Sequence, residues 1–186
     1  MKVRSIWNAW MLVAALAILI PATALRAAPP PDNAEVNKLL DQAREHAMLA
    51  DDDAAELESY TRSKLSWQSH ALRLTTMKEH VNNLGVDVSE LNRLRDQGSP
   101  LQQVAIDRIN PLLREIADHL TTTIEHLNDN QGRIHMQAYR DYVKANSDLI
   151  NRAHNMIADF VDYGQAKATA EAIQLHQELP SDSTGE

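Results

Sequence analysis

The chain contains no cysteine. This absence excludes disulfide bridges, thiolate metal sites, a cysteine nucleophile and covalently attached c-type haem. Aromatic residues are also scarce, and Phe160 is the only phenylalanine. Because Trp7 and Trp10 lie in the N-terminal segment discussed below, Trp67 is the only tryptophan left for a folded domain. We therefore expect an aliphatic core whose stability comes from packing.

Helix-breaking residues are rare between Asp32 and Leu179, where only two prolines and four glycines occur. No run alternates apolar and polar residues as a strand would. Glycine-rich phosphate loops and nucleophile elbows are also absent. The nearest approach to an acid–base set is Glu115, Asp118 and His119 on one helix, which is more typical of a solvated face. The sequence therefore predicts an all-α fold and gives no support for an enzyme.

Only one stretch, residues 9–20, is a long apolar run. Lys2 and Arg4 precede it and small residues follow it, which together predict a signal peptide over residues 1–27. Twelve apolar residues are too few for a transmembrane helix, which needs roughly 20, although an uncleaved anchor is the alternative. We expect a periplasmic or extracellular protein without a stable membrane anchor after cleavage.

Positive charge is in short supply, since the net charge of the chain is −8. Removal of residues 1–27 takes away three basic residues and no acidic one, leaving −11. An acidic surface repels phosphate backbones and anionic lipids, which argues against a nucleic-acid partner. We divide the remainder into a proline-rich linker over residues 28–32, one helical domain over residues 33–179 and a polar, disordered tail over residues 180–186.

The helical spacing of apolar residues divides this domain into four helices. The first is predicted over about residues 33–49, where Asp32 and Glu35 resemble a capping box. The three aspartates at positions 51–53 are interpreted as a turn that also caps the second helix. That second helix is predicted to end at Gly98.

The third helix is predicted to begin at Ser99, with Pro100 in its first turn. Pro111 lies about three turns further on and should kink it. A turn cluster at residues 128–132 separates it from a fourth helix that runs to about Gln177. The apolar face of the fourth helix is wide, so we expect it to contact two neighbours.

Heptad spacing along the last three helices predicts how they pack. The predicted fold is an elongated, antiparallel up-down bundle of three long helices plus a shorter N-terminal helix. A break in the second helix near residues 63–66 would give a more compact four-helix bundle, and the sequence leaves both arrangements open. The heptad residues of the second helix are Trp67, His70, Leu74, Met77, Val81, Leu84, Val88 and Leu91.

Five of the eight histidines are candidate metal ligands. Antiparallel folding about Gly98 pairs residues whose numbers sum to roughly 198, and folding about the next turn pairs those summing to roughly 262. This arithmetic places two histidines of neighbouring helices side by side and three others in one layer. The first two are His80 and His119, and the layer consists of His70, His126 and His135.

Imidazoles suit zinc, copper or nickel, so these histidines predict a transition-metal site as one alternative. The chain lacks the H-E-x-x-H and E-x-x-H motifs of helical metal sites, however. Most of the five lie at the edges of apolar stripes, which is typical of boundary residues. A haem bound by His70 and Met156 or Met77 would need an aromatic wall that the composition does not supply.

Asn146 lies on the predicted core stripe of the fourth helix, among apolar residues. A single buried asparagine often fixes the register or the partner in helical assemblies. Tyr139, Tyr142 and Tyr163 are amphipathic residues on the same helix and suit a helix–helix boundary or a partner surface. These residues favour binding or assembly over chemistry.

Four short segments carry a resemblance to known proteins. They are Trp67-Gln-Ser-His70, residues 78–84 (KEHVNNL), residues 105–111 (AIDRINP) and residues 124–128 (IEHLN). Over about residues 54–162 the chain resembles uncharacterised, exported, all-helical bacterial proteins. That family has no assigned activity, so the resemblance implies the fold and no functional residue.

The sequence as a whole favours an exported helical bundle that acts in binding or assembly without catalysis, with a protein partner or by self-association. The alternative is a metal-binding bundle that uses the histidine layers. A chaperone-like binder of unfolded clients is a third hypothesis, which predicts a contiguous exposed apolar patch of several hundred Å².

Overall fold

A computed structural model of the chain describes residues 30–178 and shows the predicted all-α bundle, with no strand in that range. The predicted signal peptide and the tail over residues 180–186 lie outside the described residues. Four long helices are joined by short connections, two of which contain a 3₁₀ turn, at Arg95–Gln97 and at Gln131–Arg133. The helices are α1 (Ala34–Tyr60), α2 (Trp67–Leu94), α3 (Pro100–Asp129) and α4 (Gln137–Glu178).

The boundary between α1 and α2 differs from the expected one. The aspartates at positions 51–53 do not form a turn, because α1 continues through them to Tyr60. The break lies at residues 61–66 and Ser66 caps α2, which is the more compact alternative. Asp53 is accepted inside a helix because Arg73 and His80 of α2 bind its carboxylate. Asn33, and not Asp32, caps the start of α1, accepting hydrogen bonds from two backbone N–H groups of its first turn.

The four helices form a closed ring in which each contacts two neighbours. The first and third helices both pack against α2 and α4, so the prediction that α4 has two neighbours is confirmed. The predicted stripe of α2 is buried from His70 to Leu91, with Trp67 half-buried. Helix α1 is the shortest at 27 residues and α4 the longest at 42. Four of the eight buried residues of α1 are alanines, and these small side chains let α1 approach its neighbours closely.

The start of α3 follows the sequence prediction. Ser99 and Gln102 form a capping box, and Pro100 occupies the first turn. Pro111 lies inside the helix, which continues past it to Asp129. The side chain of Gln102 accepts hydrogen bonds from the backbone of both Asn33 and Ser99, so these two residues lie at the same end of the molecule. We call this end the base of the bundle.

Helix α4 is longer than the other three helices and extends beyond them at one end. Its 42 residues would span about 63 Å, against about 40 Å for α1. Its buried positions end at Val161, and Lys167 pairs with Asp32 at the base. Every residue from 168 to 177 is exposed. We call residues 165–177 the α4 extension, because this part of the helix reaches and then passes the base.

Candidate functional site

His70 lies in the first turn of α2 and is buried, 1% exposed. Its Nδ1 is 3.1 Å from the hydroxyl of Tyr139 on α4, and its ring packs edge-on against Tyr60 of α1. Burial lowers the pKa of His70 and raises the pKa of Tyr139. Both side chains are therefore neutral near pH 7, and one buried hydrogen bond joins α2 to α4.

His126 approaches the same tyrosine from α3. Its ring stacks on Tyr139 with centroids 6.2 Å apart and lies 4.7 Å from the ring of Tyr142. The expected proximity of His70 and His126 is thus present, but the ring of Tyr139 mediates it. An imidazole stacked through its face on an aromatic ring is held by packing and is not aimed at a shared ion.

The third member of the predicted layer, His135, is exposed in the connection before α4. The reason is a difference in register. Contacts between α3 and α4 join residues whose numbers sum to 267–269, as in Glu115 with Arg152 and Thr123 with Asn146, and not to about 262. His126 is consequently level with Tyr142. The connection from Asn130 to Met136 takes up the additional residues.

His80 contacts the first helix and not the third. Its Nδ1 is 2.9 Å from Oδ2 of Asp53, a carboxylate only 5% exposed. Arg73 donates to the other oxygen of Asp53 at 2.5 Å and also contacts Glu56. Hydrogen bonding with Tyr60 and with Asp53 raises the pKa of Arg73. This cluster of charged groups around the buried Asp53 holds α1 against α2.

Two more histidines form the same kind of pair. Nδ1 of His46 on α1 is 2.6 Å from Asp87 of α2, and Nδ1 of His154 on α4 is 3.0 Å from Asp51 of α1. Three of the eight histidines thus each bind one aspartate of a neighbouring helix. Pairs of this kind fasten α1 to both of its neighbours.

The sequence contained a signal for these pairs. His46 with Asp87 and Asp53 with His80 both have residue numbers that add to 133. This sum is the antiparallel register for a fold about residues 66 and 67. Folding about the alternative break at residues 63–66 gives a sum near 129, so the same arithmetic would have placed each histidine about one helical turn from its partner.

The acidic residues near His119 do not converge on it. Glu115 pairs with Arg152 of α4 at 3.0 Å, and both side chains are largely exposed. His119 is half-buried, and its backbone carbonyl accepts from Thr123. Asp118 is exposed. The geometry thus resembles the solvated face that the sequence favoured.

Asn146 is fully buried, as its position on the core stripe predicts. Its amide donates to the hydroxyl of Thr123 and to the carbonyl of Tyr142, but its Oδ1 has no hydrogen-bond partner. An unpaired buried oxygen costs about 1–3 kcal/mol. Asn146 therefore contributes more to the register between α3 and α4 than to stability.

No group of three or more His, Asp or Glu side chains within residues 30–178 is arranged to hold a metal ion. Of the five candidate histidines, His70 and His126 both contact Tyr139 and His80 contacts Asp53, whereas His119 is half-buried on α3 and His135 is exposed. A zinc, copper or nickel site stays a prediction. Zinc and copper titration of untagged protein, with binding tighter than about 10 μM as the criterion, would test it.

Two features of the base depart from close packing. An open cavity of about 220 Å³ lies between α1, α3 and α4. Beyond it, the α4 extension carries Ile173 and Leu175, which are 54% and 66% exposed. Neither feature was predicted, because periodicity shows which face of a helix is apolar but not where its neighbours end. Unequal helix lengths were the only sequence signal.

The described helices include none that is both long enough and apolar enough to cross a bilayer. Comparison of the chain with protein-family models, curated proteins and solved structures gave no match. The resemblance over residues 54–162 therefore stays a prediction, and any function must be argued from the chain itself.

Proposed function

We propose that this protein is an exported, non-catalytic helical bundle that assembles with a second copy of itself through the α4 extension. The observation that carries the proposal is the continuation of the buried face of α4 beyond the ends of α1 and α3. The composition of residues 1–27 supports export.

The apolar stripe of α4 runs without interruption from the core into the extension. Ile157 and Val161 are buried in the bundle. The same face continues through Ala168 and Ala172 to Leu175, following the spacing of three and four residues. Ile173, also exposed, lies on a different side of the helix from Leu175, because residues two positions apart do not share a face. A stripe of this kind is normally covered by another helix.

A second copy is the partner that uses this small face most effectively. In a two-fold symmetric contact the same patch is buried twice, so one stripe of two or three turns contributes to both sides of the interface. Alanines at positions 168 and 172 allow two helices to approach closely. A different protein would have to supply its own complementary face.

Charge also favours self-association at this place. The chain as a whole carries −8, so two copies repel each other over most of their surfaces. Within residues 165–177 the only formal charges are those of Lys167 and Glu171, which cancel. The α4 extension is therefore a region where two acidic molecules can meet with little repulsion.

The test is the molar mass of the chain beginning at Ala28, measured by light scattering up to about 200 μM, since isolated stripes of this size give weak contacts. We expect a dimer in the upper part of this range. Ile173→Glu with Leu175→Glu should give a monomer. Gln174→Glu with Gln177→Glu is the matched control, because it adds the same charge to the same exposed segment, and it should still dimerise.

Circular dichroism must show the same helix content for all three proteins, so that a loss of dimer is not a loss of fold. A wild-type chain that stays monomeric up to the highest concentration would overturn the proposal. Equal dimerisation of both double variants would also overturn it, because the contact would then lie elsewhere.

A further inference from the structure

The base of the bundle presents a partly apolar groove to solvent. Prolines at positions 30, 31 and 100 are exposed and line it, together with Tyr163, which is 59% exposed. Proline has no N–H group, so these three residues offer a partner no backbone donors. The groove lies where the α4 extension leaves the bundle, because Lys167 also lines it.

The cavity of about 220 Å³ at the base lies next to this groove, and its polar groups already have partners within the chain. Asp32 contacts Lys167, and Asp41 contacts Arg44. The amide of Gln102 is engaged at the starts of α1 and α3. A partner can therefore add apolar contacts here but few polar ones.

Sterics determine how a second copy can reach the stripe of the α4 extension. The stripe continues the face of α4 on which Ile157 and Val161 are buried, and residues of α1 and α3 pack against that face. In a second α4 that ran in the same direction, the residues before the extension would occupy the space of α1 and α3. The second α4 must therefore run antiparallel to the first and approach from the far side of the base.

The length of the extension limits how far two antiparallel copies overlap. Lys167 pairs with Asp32 at the base, and α4 ends at Glu178, eleven residues later. These residues rise about 17 Å. At full overlap the end of each α4 reaches the base of the other copy, so the numbers of neighbouring residues sum to about 343–345.

This overlap places a large side chain opposite a small one. With a sum of about 343, Leu175 of one copy lies opposite Ala168 of the other, and two-fold symmetry repeats the contact. Ala172 lies beside the symmetry axis, where its small side chain allows the helices to approach closely. Ala168 also lines the cavity at the base, so Leu175 of the second copy lies at the edge of that cavity.

The helix ends that meet are complementary in charge. Helices α1 and α3 both begin at the base, and the start of a helix carries a partial positive charge. The end of α4 carries a partial negative charge. A second copy in the opposite direction therefore brings the negative end of its α4 to the positive ends of two helices.

On the basis of the dimer proposed above, we infer that the base of the bundle receives the end of a second copy's α4, so that two copies meet base to base with antiparallel α4 extensions. Each copy covers part of the base of the other. Two bundles of about 45 Å, the length of α3, then lie end to end across about 17 Å, which gives the dimer a longest dimension of about 110 Å.

The experiment is disulfide cross-linking, which the absence of native cysteine makes site-specific. Ala168→Cys in an unlabelled chain and Leu175→Cys in an isotopically labelled chain are mixed at the highest concentration of the light-scattering experiment and oxidised. A disulfide needs Cα atoms within about 7 Å of each other. We expect mass spectrometry to show mostly linked pairs of one labelled and one unlabelled chain, whereas random pairing would give one half.

Ile173→Cys in the labelled chain is the matched control. Residue 173 is exposed and close to residue 175 along the helix, but it lies on a different side. Its yield of mixed pairs with Ala168→Cys should be lower by about fivefold or more. Small-angle X-ray scattering of the wild-type dimer should give the longest dimension of about 110 Å.

Exchange of the two side chains tests the same contact without cysteine. Ala168→Leu alone brings two leucines together and Leu175→Ala alone leaves two alanines, so each should weaken dimerisation about tenfold. The double variant restores the pair of large and small side chains and should dimerise within about threefold of the wild type. Both residues are exposed in a single copy, so circular dichroism should show an unchanged fold.

A dimer that cross-links mainly between like chains, or equally well through Ile173→Cys, would overturn the base-to-base arrangement and leave the dimer itself in place. A double variant no better than either single variant would also overturn it, as would the longest dimension of two bundles side by side. A monomeric wild-type chain would overturn the proposed function and this arrangement together, and would leave the base to a partner other than a second copy.

Discussion

Gln102 of α3 forms two hydrogen bonds with the backbone of Asn33, the residue that caps α1. Its oxygen accepts from the Asn33 N–H and its nitrogen donates to the Asn33 carbonyl, both at 2.9 Å. The same oxygen also accepts from the N–H of Ser99, which caps α3. Gln102 and Asn33 are 69 positions apart in the sequence, and this one side chain joins the starts of two parallel helices.

Gln102→Leu is expected to destabilise the bundle by about 2–4 kcal/mol, because the backbone groups it leaves are buried and lose their partners. Gln103→Leu is the matched control. Gln103 makes one hydrogen bond, to the carbonyl of Gly98, so its loss should cost about 1 kcal/mol or less. Urea unfolding of both variants measures the difference. Equal losses would contradict a joint capping role.

Asp53→Ala should destabilise the fold by about 1.5–3 kcal/mol, because it removes the buried carboxylate that Arg73 and His80 both bind, while Arg73 keeps its contact with Glu56. Asp52→Ala, one residue earlier on the exposed face of α1, should change stability by less than about 0.5 kcal/mol. Thermal or urea unfolding gives both values. If a turn at residues 51–53 interrupted the helix, the two aspartates would have similar effects.

Acid should destabilise the bundle through His70. In the unfolded chain this histidine gains a proton as the pH falls below about 6.5, whereas burial lowers its pKa in the folded state. The unfolded state therefore binds more protons in the interval below that pH, and the free energy of unfolding decreases there.

His70→Gln keeps an amide near Tyr139 but cannot titrate. Its free energy of unfolding should fall less steeply than that of the wild type between about pH 6.5 and pH 5. The exposed His135 provides the control, because His135→Gln should leave the wild-type slope unchanged. A steeper slope for His70→Gln would contradict the argument.

Gly85→Ala and Gly164→Ala should each stabilise the protein by about 0.5–1 kcal/mol, since both glycines are helical. An added Cβ would meet no atom within 4 Å at either position. Melting temperatures give the stability effects. A loss of stability would show that the space around either glycine is smaller than it is in the structure.

The predictable part of this fold is what a local repeat encodes. The stripe of α2 and the buried Asn146 of α4 were predicted correctly, because side chains three and four positions apart share a face wherever the helix lies. Tyr163, on the predicted stripe of α4, is instead 59% exposed, because it lies beyond the last buried residue of that helix.

The end of α1 was predicted wrongly, because three consecutive aspartates are typical of a turn and the helix continues through them to Tyr60. In the folded chain Arg73 binds Asp53 and His154 binds Asp51, and both partners are distant in the sequence.

The histidine contacts show how far such local reasoning extends. Predicting a neighbour across two helices requires the register, and the register depends on the length of the connection. The predicted register between α3 and α4 was wrong by about six residues. His135 was therefore expected beside His126, where the structure has Tyr142. The cavity is harder still, since it depends on which small residues of three helices face one another.

The base of the bundle holds both ends of the described chain. Pro30 leads into α1 there, and α4 leaves the bundle past Lys167 at the same end. A tag or surface attached at Pro30 would lie near the cavity at the base, and one attached at Glu178 would lie at the end of the α4 extension. The opposite end, about 45 Å away along α3, carries the exposed connection around Gly132. A label or an immobilisation point is best introduced at that distal connection, because it leaves the base of the bundle and the α4 extension free.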